Sequence, residues 1–274
     1  MTTDSPSFRL RLRQAGERNR SLLCVGLDPD PSGLAGRDIA EFCTAIVDAT
    51  IDLVSAYKLN LAFYEARGSA GYAAVERIVA HIGGRVPVIG DAKRNDIGNS
   101  ARFYAAGLFE SFGFDAITAN PYLGGDSLEP FLSYPDRGVF LLCRTSNPGG
   151  QDIQSLTTTF DGLSMPVYEA VARMSLTWDV HGTIGLVTGA TYPTEARKIR
   201  ELCPDTPLLV PGVGTQGGEL EAALDATLDR DGGGVLINVS RGVLYASTGP
   251  DYVEAARAAA AQWRSRIEAA RNAH

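Results

Sequence analysis

Val88-Ile-Gly-Asp-Ala-Lys-Arg-Asn-Asp-Ile-Gly-Asn-Ser100 begins as an apolar strand and ends in a crowd of charges. Val86, Val88 and Ile89 are strand formers, and Asp91 and Lys93 follow them two residues apart. In an extended chain that spacing sends both side chains to one side. An acid and a base then share one small volume at the end of a strand. Asp96 comes after the expected turn, where an Asp also serves as cap for a helix over 97–112. A single Asp–Lys pair is also what an ordinary surface ion pair looks like, so the rest of the chain has to decide.

Outward from this stretch, short β-rich runs alternate with amphipathic helical runs. Strands are expected at 22–26, 55–60, the stretch above, 116–120, 139–143, 182–187, 207–210 and 235–239. Helical patterns follow most of them, opening at Asp38 and running over 72–82, 97–112, 166–178, 194–202, 220–228 and 252–270, with a polar loop at 147–162. Eight β-then-α units in 274 residues indicate an α/β (β/α)8 TIM barrel. No linker or composition break divides it, so residues 1–274 are expected to form a single domain. A two-layer dinucleotide fold is disfavoured because no Gly-x-Gly-x-x-Gly follows the first strand.

A barrel carries its active groups where strands end. Asp28, Lys58, Asp91, Lys93, Asn120, Ser146, Gln216 and Arg241 all fall there. Asp28 precedes a proline and could merely start a turn. Lys58, in an otherwise apolar strand, must either snorkel out or meet acids inside. Pro211-Gly-Val-Gly-Thr-Gln-Gly-Gly218 joins a strand to a helix; its glycines are turn formers that also expose N–H groups to an anion. Ser240 and Arg241 close the last strand, and the guanidinium can add a bidentate phosphate contact. Asp231-Gly-Gly-Gly234 precedes its strand and reads as an ordinary turn on the opposite face.

Composition narrows the partners. Hydrophobic residues make up 45% of the chain and the net charge is −7, without a basic run, which argues against nucleic acid or an anionic membrane surface. No segment approaches a membrane span or a signal peptide. Cys24, Cys43, Cys143 and Cys203 have no paired spacing and read as reduced core residues of a cytoplasmic protein. The three histidines are scattered, and neither a metal cluster nor a cofactor fingerprint is visible, so the chemistry is expected to run without a cofactor.

The order Asp91-Ala-Lys93-Arg-Asn-Asp96-Ile-Gly-Asn resembles the signature of the orotidine 5′-phosphate decarboxylase family, most closely its bacterial (type 2-like) branch. The triplet alone is shared with related sugar-phosphate decarboxylases and synthases. Pro211-Gly-Val-Gly-x-Gln-Gly-Gly218, Ser240-Arg-Gly and Lys58-Leu-Asn-Leu-Ala-Phe-Tyr-Glu65 make the resemblance much more specific, although Leu59 stands where that branch usually has proline. The resemblance implies a catalytic network of Lys58, Asp91, Lys93 and Asp96, with Lys93 as proton donor. It implies substrate contacts from Asp28 to a ribose hydroxyl, from Ser146 to the base and from Gln216 to phosphate and pyrimidine. Pro211, Ser240 and Arg241 belong to the phosphate end, and Ser100 replaces the family's usual threonine. It also implies a nucleotide substrate, orotidine 5′-phosphate, and a homodimer in which Asp96 serves the neighbouring subunit's site. Two alternatives stay open: a metal-dependent enzyme of the same superfamily acting on a keto-sugar phosphate, and a non-catalytic nucleotide-binding barrel.

Overall fold

The computed structural model describes residues 6–214 and 218–273. Ten strands occur among them: β1 Leu23–Gly26, β2 Ala56–Asn60, β3 Val88–Arg94, β4 Ala116–Ala119, β5 Gly138–Arg144, β6 Thr157–Phe160, β7 Leu163–Pro166, β8 Ile184–Thr188, β9 Leu208–Val210 and β10 Val235–Val239. Eight of them close a parallel barrel in the order β1-β10-β9-β8-β5-β4-β3-β2, and β6 and β7 form a separate antiparallel hairpin. The expected (β/α)8 barrel is therefore the observed fold. None of the described helices is long and apolar enough to cross a membrane.

The barrel strands are almost wholly buried because helices cover their outer faces while side chains fill the interior. One interior layer takes a residue from each barrel strand: Cys24, Ala56, Ile89, Ala116, Phe140, Val187, Leu209 and Leu236. Phe8, from a helix over Phe8–Asn19, plugs this layer from below, its ring edge-on to Phe140 with centroids 5.8 Å apart. The plug needs Gly138, where a Cβ would lie 2.4 Å from the Phe8 ring. Arg11 on the same helix pairs with Asp115, whose other carboxylate oxygen accepts the Val88 N–H at 2.8 Å. The lower end of β3 is thereby tied to the N-terminal helix.

That helix had no counterpart among the sequence expectations, since its Arg-rich surface hides a two-residue apolar contact; its one clear signal is Ser7, whose hydroxyl accepts the Leu10 N–H. The helix Gly125–Leu132 after β4 was also unexpected. The expected polar loop at 147–162 instead holds a short helix, Gln151–Gln154, and most of the β6–β7 hairpin. The turn of that hairpin is Asp161-Gly162, both with positive φ, which is the two-residue turn chemistry that strand twist favours. Asp38 caps its helix as expected. Asp96 does not: the residue at the cap position is Ile97, and the helix it opens, Gly98–Ala106, passes into a π turn over Gly107–Ser111.

Candidate active site

Side chains alternate along a strand, so the residues two positions beyond the apolar layer face the same interior. From Ala56, Ile89, Ala116, Phe140, Leu209 and Leu236 that step leads to Lys58, Asp91, Thr118, Leu142, Pro211 and Asn238, all of which line one cavity of about 720 Å³. The cavity opens at the C-terminal ends of the strands, and its volume lies in the roughly 300–1,000 Å³ range of small-molecule sites.

At its floor Asp91 is the hub. Its Oδ2 accepts from Lys58 Nζ at 2.9 Å, and its Oδ1 accepts from Lys93 Nζ at 2.6 Å and from Thr118 Oγ1 at 2.8 Å. The Lys93 N–H in turn donates to Thr118 Oγ1 at 2.9 Å, which orients that hydroxyl toward the carboxylate. Asp28 Oδ1 lies 3.9 Å from Lys58 Nζ and accepts the Asn60 N–H at 3.1 Å. The Lys58 side chain is 5% exposed, that of Asp91 10% and that of Lys93 49%. The Lys58 ammonium is thus enclosed, while that of Lys93 faces the open cavity.

Burial and pairing compete in this cluster. Burial alone would push the Lys58 ammonium down, but Asp28 and Asp91 outweigh it and hold its pKa above the ordinary lysine value. Burial alone would raise Asp91, and Lys58 and Lys93 reverse the effect, keeping its carboxyl well below the usual range. Both groups are therefore charged at neutral pH.

Regular alternation does not by itself bring Asp91 and Lys93 together. Pairing of β3 with β4 jumps from Gly90–Ile117 to Arg94–Ala119, so an irregularity lies across this segment, and Lys93 has φ of 50°. A left-handed lysine costs about 1 kcal/mol or more. Such strain persists where surrounding contacts impose it, here the Lys93 hydrogen bonds to Thr118 and Asp91.

At the other end of the cavity, Pro211, Gly212, Ser240 and Arg241 line the wall. Gly212 and Gly214 have φ of 97° and 77°, as a tight glycine turn requires. Ser240 Oγ and Asn238 Oδ1 are buried without a protein partner among the described residues, leaving hydrogen-bonding capacity at this wall. Ser146 also lines the cavity, pressed against Gly189, where a Cβ would come within 2.6 Å of the Ser146 backbone. Asp231–Gly234 forms its turn beside Asp229, which accepts the N–H groups of Asp231 and Gly233.

Of the residues singled out from the sequence, Asp28, Lys58, Asp91, Lys93, Ser146, Pro211, Ser240 and Arg241 meet at this cavity. Gln216 lies outside the described residues. Asp96 and Ser100 do not line the cavity of their own chain; the Asp96 carboxylate accepts the Ile97 N–H at 2.8 Å, and Ser100 is exposed. Asn120 is a cap, accepting the Tyr122 N–H in the turn after β4. Sequence reasoning passed over Thr118, Gln154, Asn238 and Tyr245, all of which line the cavity. Thr118 could have been suspected as a polar residue flanked by Ile117 and Ala119 in a buried strand. Tyr245, whose hydroxyl donates to the Asp28 carbonyl at 3.1 Å and accepts the Asp30 N–H at 2.6 Å, gave no signal at all.

Comparison with known proteins converges on one group. Residues 21–259 match the orotidine 5′-phosphate decarboxylase / HUMPS family. An orotidine 5′-phosphate decarboxylase of an Azoarcus species is 52% identical over 96% of this chain and 99% of its own length. One from Roseiflexus castenholzii is 50% identical over 96% and 98%. Among solved structures, the Leishmania donovani OMP decarboxylase is similar with a TM-score of 0.85 and 42% identity, over 97% of this chain and 99% of that one.

Proposed function

The chain belongs to the orotidine 5′-phosphate decarboxylase / HUMPS family, and from that premise we propose that it removes CO2 from orotidine 5′-phosphate to give UMP, the last step of de novo UMP synthesis. The observation that carries this reading is the Lys58–Asp91–Lys93 network at the floor of a cavity sized for a nucleotide. Loss of CO2 from C6 leaves an electron pair in an in-plane orbital that the ring π system stabilises poorly, so the protein must supply the stabilisation electrostatically. The Lys93 ammonium is the charge opposite that pair and the acid that protonates C6; solvent then returns a proton to its Nζ. Asp91 holds Lys93 in place and sets its own negative charge near the departing carboxylate, which favours loss of CO2. Lys58 neutralises Asp91 and Asp28 from below.

The remaining roles follow the same division. Asp28 binds a ribose hydroxyl, Ser146 the base, and Pro211, Gln216, Ser240 and Arg241 the phosphate end. The phosphate clamp adds binding energy that the reacting carbon can use. All four cysteines are buried and unpaired, which supports a reducing, cytoplasmic setting. The experiment is to mix protein and orotidine 5′-phosphate and follow the ultraviolet absorbance, which falls as decarboxylation shortens the chromophore's conjugation. A flat trace with folded protein refutes the activity.

The homodimer extends this reading. Asp96 and Ser100 sit outside their own cavity, beside exposed Ile97 and on or next to the helix that carries exposed Phe103 and Tyr104. An apolar surface of this kind beside two polar residues supports a two-fold contact that lends Asp96 and Ser100 to the neighbouring site. Mixing inactive Lys93→Ala protein with inactive Asp96→Ala protein then gives heterodimers with one intact site, restoring roughly a quarter of all sites under random exchange. Demonstrated subunit exchange with no recovered activity refutes the shared site.

A further inference from the structure

Arg144, at the end of β5, is the largest fully buried side chain among the described residues and has no part in the chemistry described above. A second buried arginine shows what a purely structural one looks like. Arg200, at the opposite end of the barrel, donates to the carbonyls of Cys203, Pro204, Thr206, Thr227 and Gly234 at 2.8–3.1 Å. Arg144 is far less satisfied. Its Nη1 reaches the Thr145 carbonyl and Gln154 Oε1, each at 3.2 Å, its Nε has no partner among the described residues, and Glu195 lies 3.9 Å from Nη2. Its guanidinium instead lies over the Tyr192 ring, 3.4 Å from the centroid. A buried cation so incompletely hydrogen-bonded adds little to stability.

Its position explains it better. Arg144 joins the loop after β5, which carries Ser146 and Gln154 to the cavity, to the loop after β8, which carries Tyr192. The two loops meet at further points: the Gly189 N–H donates to the Arg144 carbonyl, and Thr191 Oγ1 donates to the Ser146 carbonyl at 3.0 Å. Gln154 is locked in turn, its Oε1 accepting the Thr145 N–H at 2.9 Å and its Nε2 donating to Thr145 Oγ1 at 2.8 Å. Gly150 leaves the space for this, since a Cβ there would stand 2.7 Å from Arg144 Nη1. We infer that Arg144 is a positioning residue: stacked on Tyr192, it clamps the β5 loop so that Ser146 and Gln154 present a fixed wall to the substrate's base.

This inference rests on the proposed function, in which Ser146 faces the base. It predicts a binding defect rather than a chemical one. The test is steady-state decarboxylation by Arg144→Met, Gln154→Ala and the double variant. Arg144→Met should raise KM about tenfold and change kcat less than about threefold, because the wall contributes to holding the base and not to the reacting carbon. The double variant should be no worse than the poorer single one, since both act through one loop. Arg144→Lys keeps the charge without the planar stack and should resemble Arg144→Met. An unchanged KM in folded Arg144→Met, fully additive losses, or restoration by Lys overturns the inference. Should Arg144→Met not fold, Tyr192→Leu removes the platform and must show the same KM rise, or the inference is wrong. A wild-type protein without turnover removes the functional reading and this inference with it, whereas an active wild type with an unaffected Arg144→Met removes the inference alone.

Discussion

Ile89 and Asp91 stand two residues apart on β3 and face the same barrel interior, yet their surroundings are opposite in kind. Around Ile89 every strand contributes an apolar or small residue, and each large one stabilises the fold by about 1.5–3 kcal/mol through burial. Around Asp91 the same strands contribute Lys58, Thr118 and Asn238. Desolvating those charges costs several kcal/mol per ion, and pairing at 2.6–2.9 Å only offsets it. The lower layer supplies the rigidity that lets the upper layer hold like and unlike charges in one fixed arrangement. A single step of strand alternation separates stability from chemistry.

Substitutions can test that division. Phe140→Ala in the lower layer should lower unfolding free energy by about 3–5 kcal/mol, the cost of a large core cavity, while the folded fraction keeps kcat near the wild-type value. A small stability loss with a large fall in kcat would show that the two layers are not separable. Thr118→Val in the upper layer should do the reverse. It removes two hydrogen bonds at once, the one donated to the ionised Asp91 and the one accepted from the Lys93 N–H, while preserving van der Waals volume; the expected result is a fall of about tenfold or more in kcat/KM with a stability loss smaller than that of Phe140→Ala.

A smaller effect concerns pH. Asp91 is depressed in the folded state, so its stabilising contribution is present above the ordinary carboxyl value and fades as pH falls through its folded value. Lys58 is raised, so its contribution is complete below the ordinary lysine value and fades as pH rises through its folded value. Both are in place between about pH 4 and about pH 10. The difference in melting temperature between wild type and Asp91→Asn should therefore stay constant from about pH 5 to about pH 9. A collapse inside that window would mean that one of the pair changes charge there.

Much of this division could be read in the chain. Alternating β and α runs exposed the barrel, and the strand ends exposed Asp28, Lys58, Asp91 and Lys93, because a charge ending an apolar run has few places to go. Thr118 escaped because threonine is also an ordinary strand former. The hairpin escaped although Asp161-Gly162 announced it, because its strands carry few apolar residues. Lys93's left-handed backbone was not legible, since nothing local favours it; the Thr118 and Asp91 contacts impose it from another strand and from within β3. The roles of Asp96 and Ser100 came from resemblance, and one chain gives them no place in its own cavity.

The central claim is that the ammonium at the open side of the charged layer performs the chemistry, and Lys93→Ala tests it most directly. The variant should fold, bind UMP, and decarboxylate orotidine 5′-phosphate at least about 10⁴-fold more slowly, having lost both the proton donor and the charge opposite the developing carbanion. Turnover within tenfold of wild type, in a variant that binds UMP normally, would contradict it.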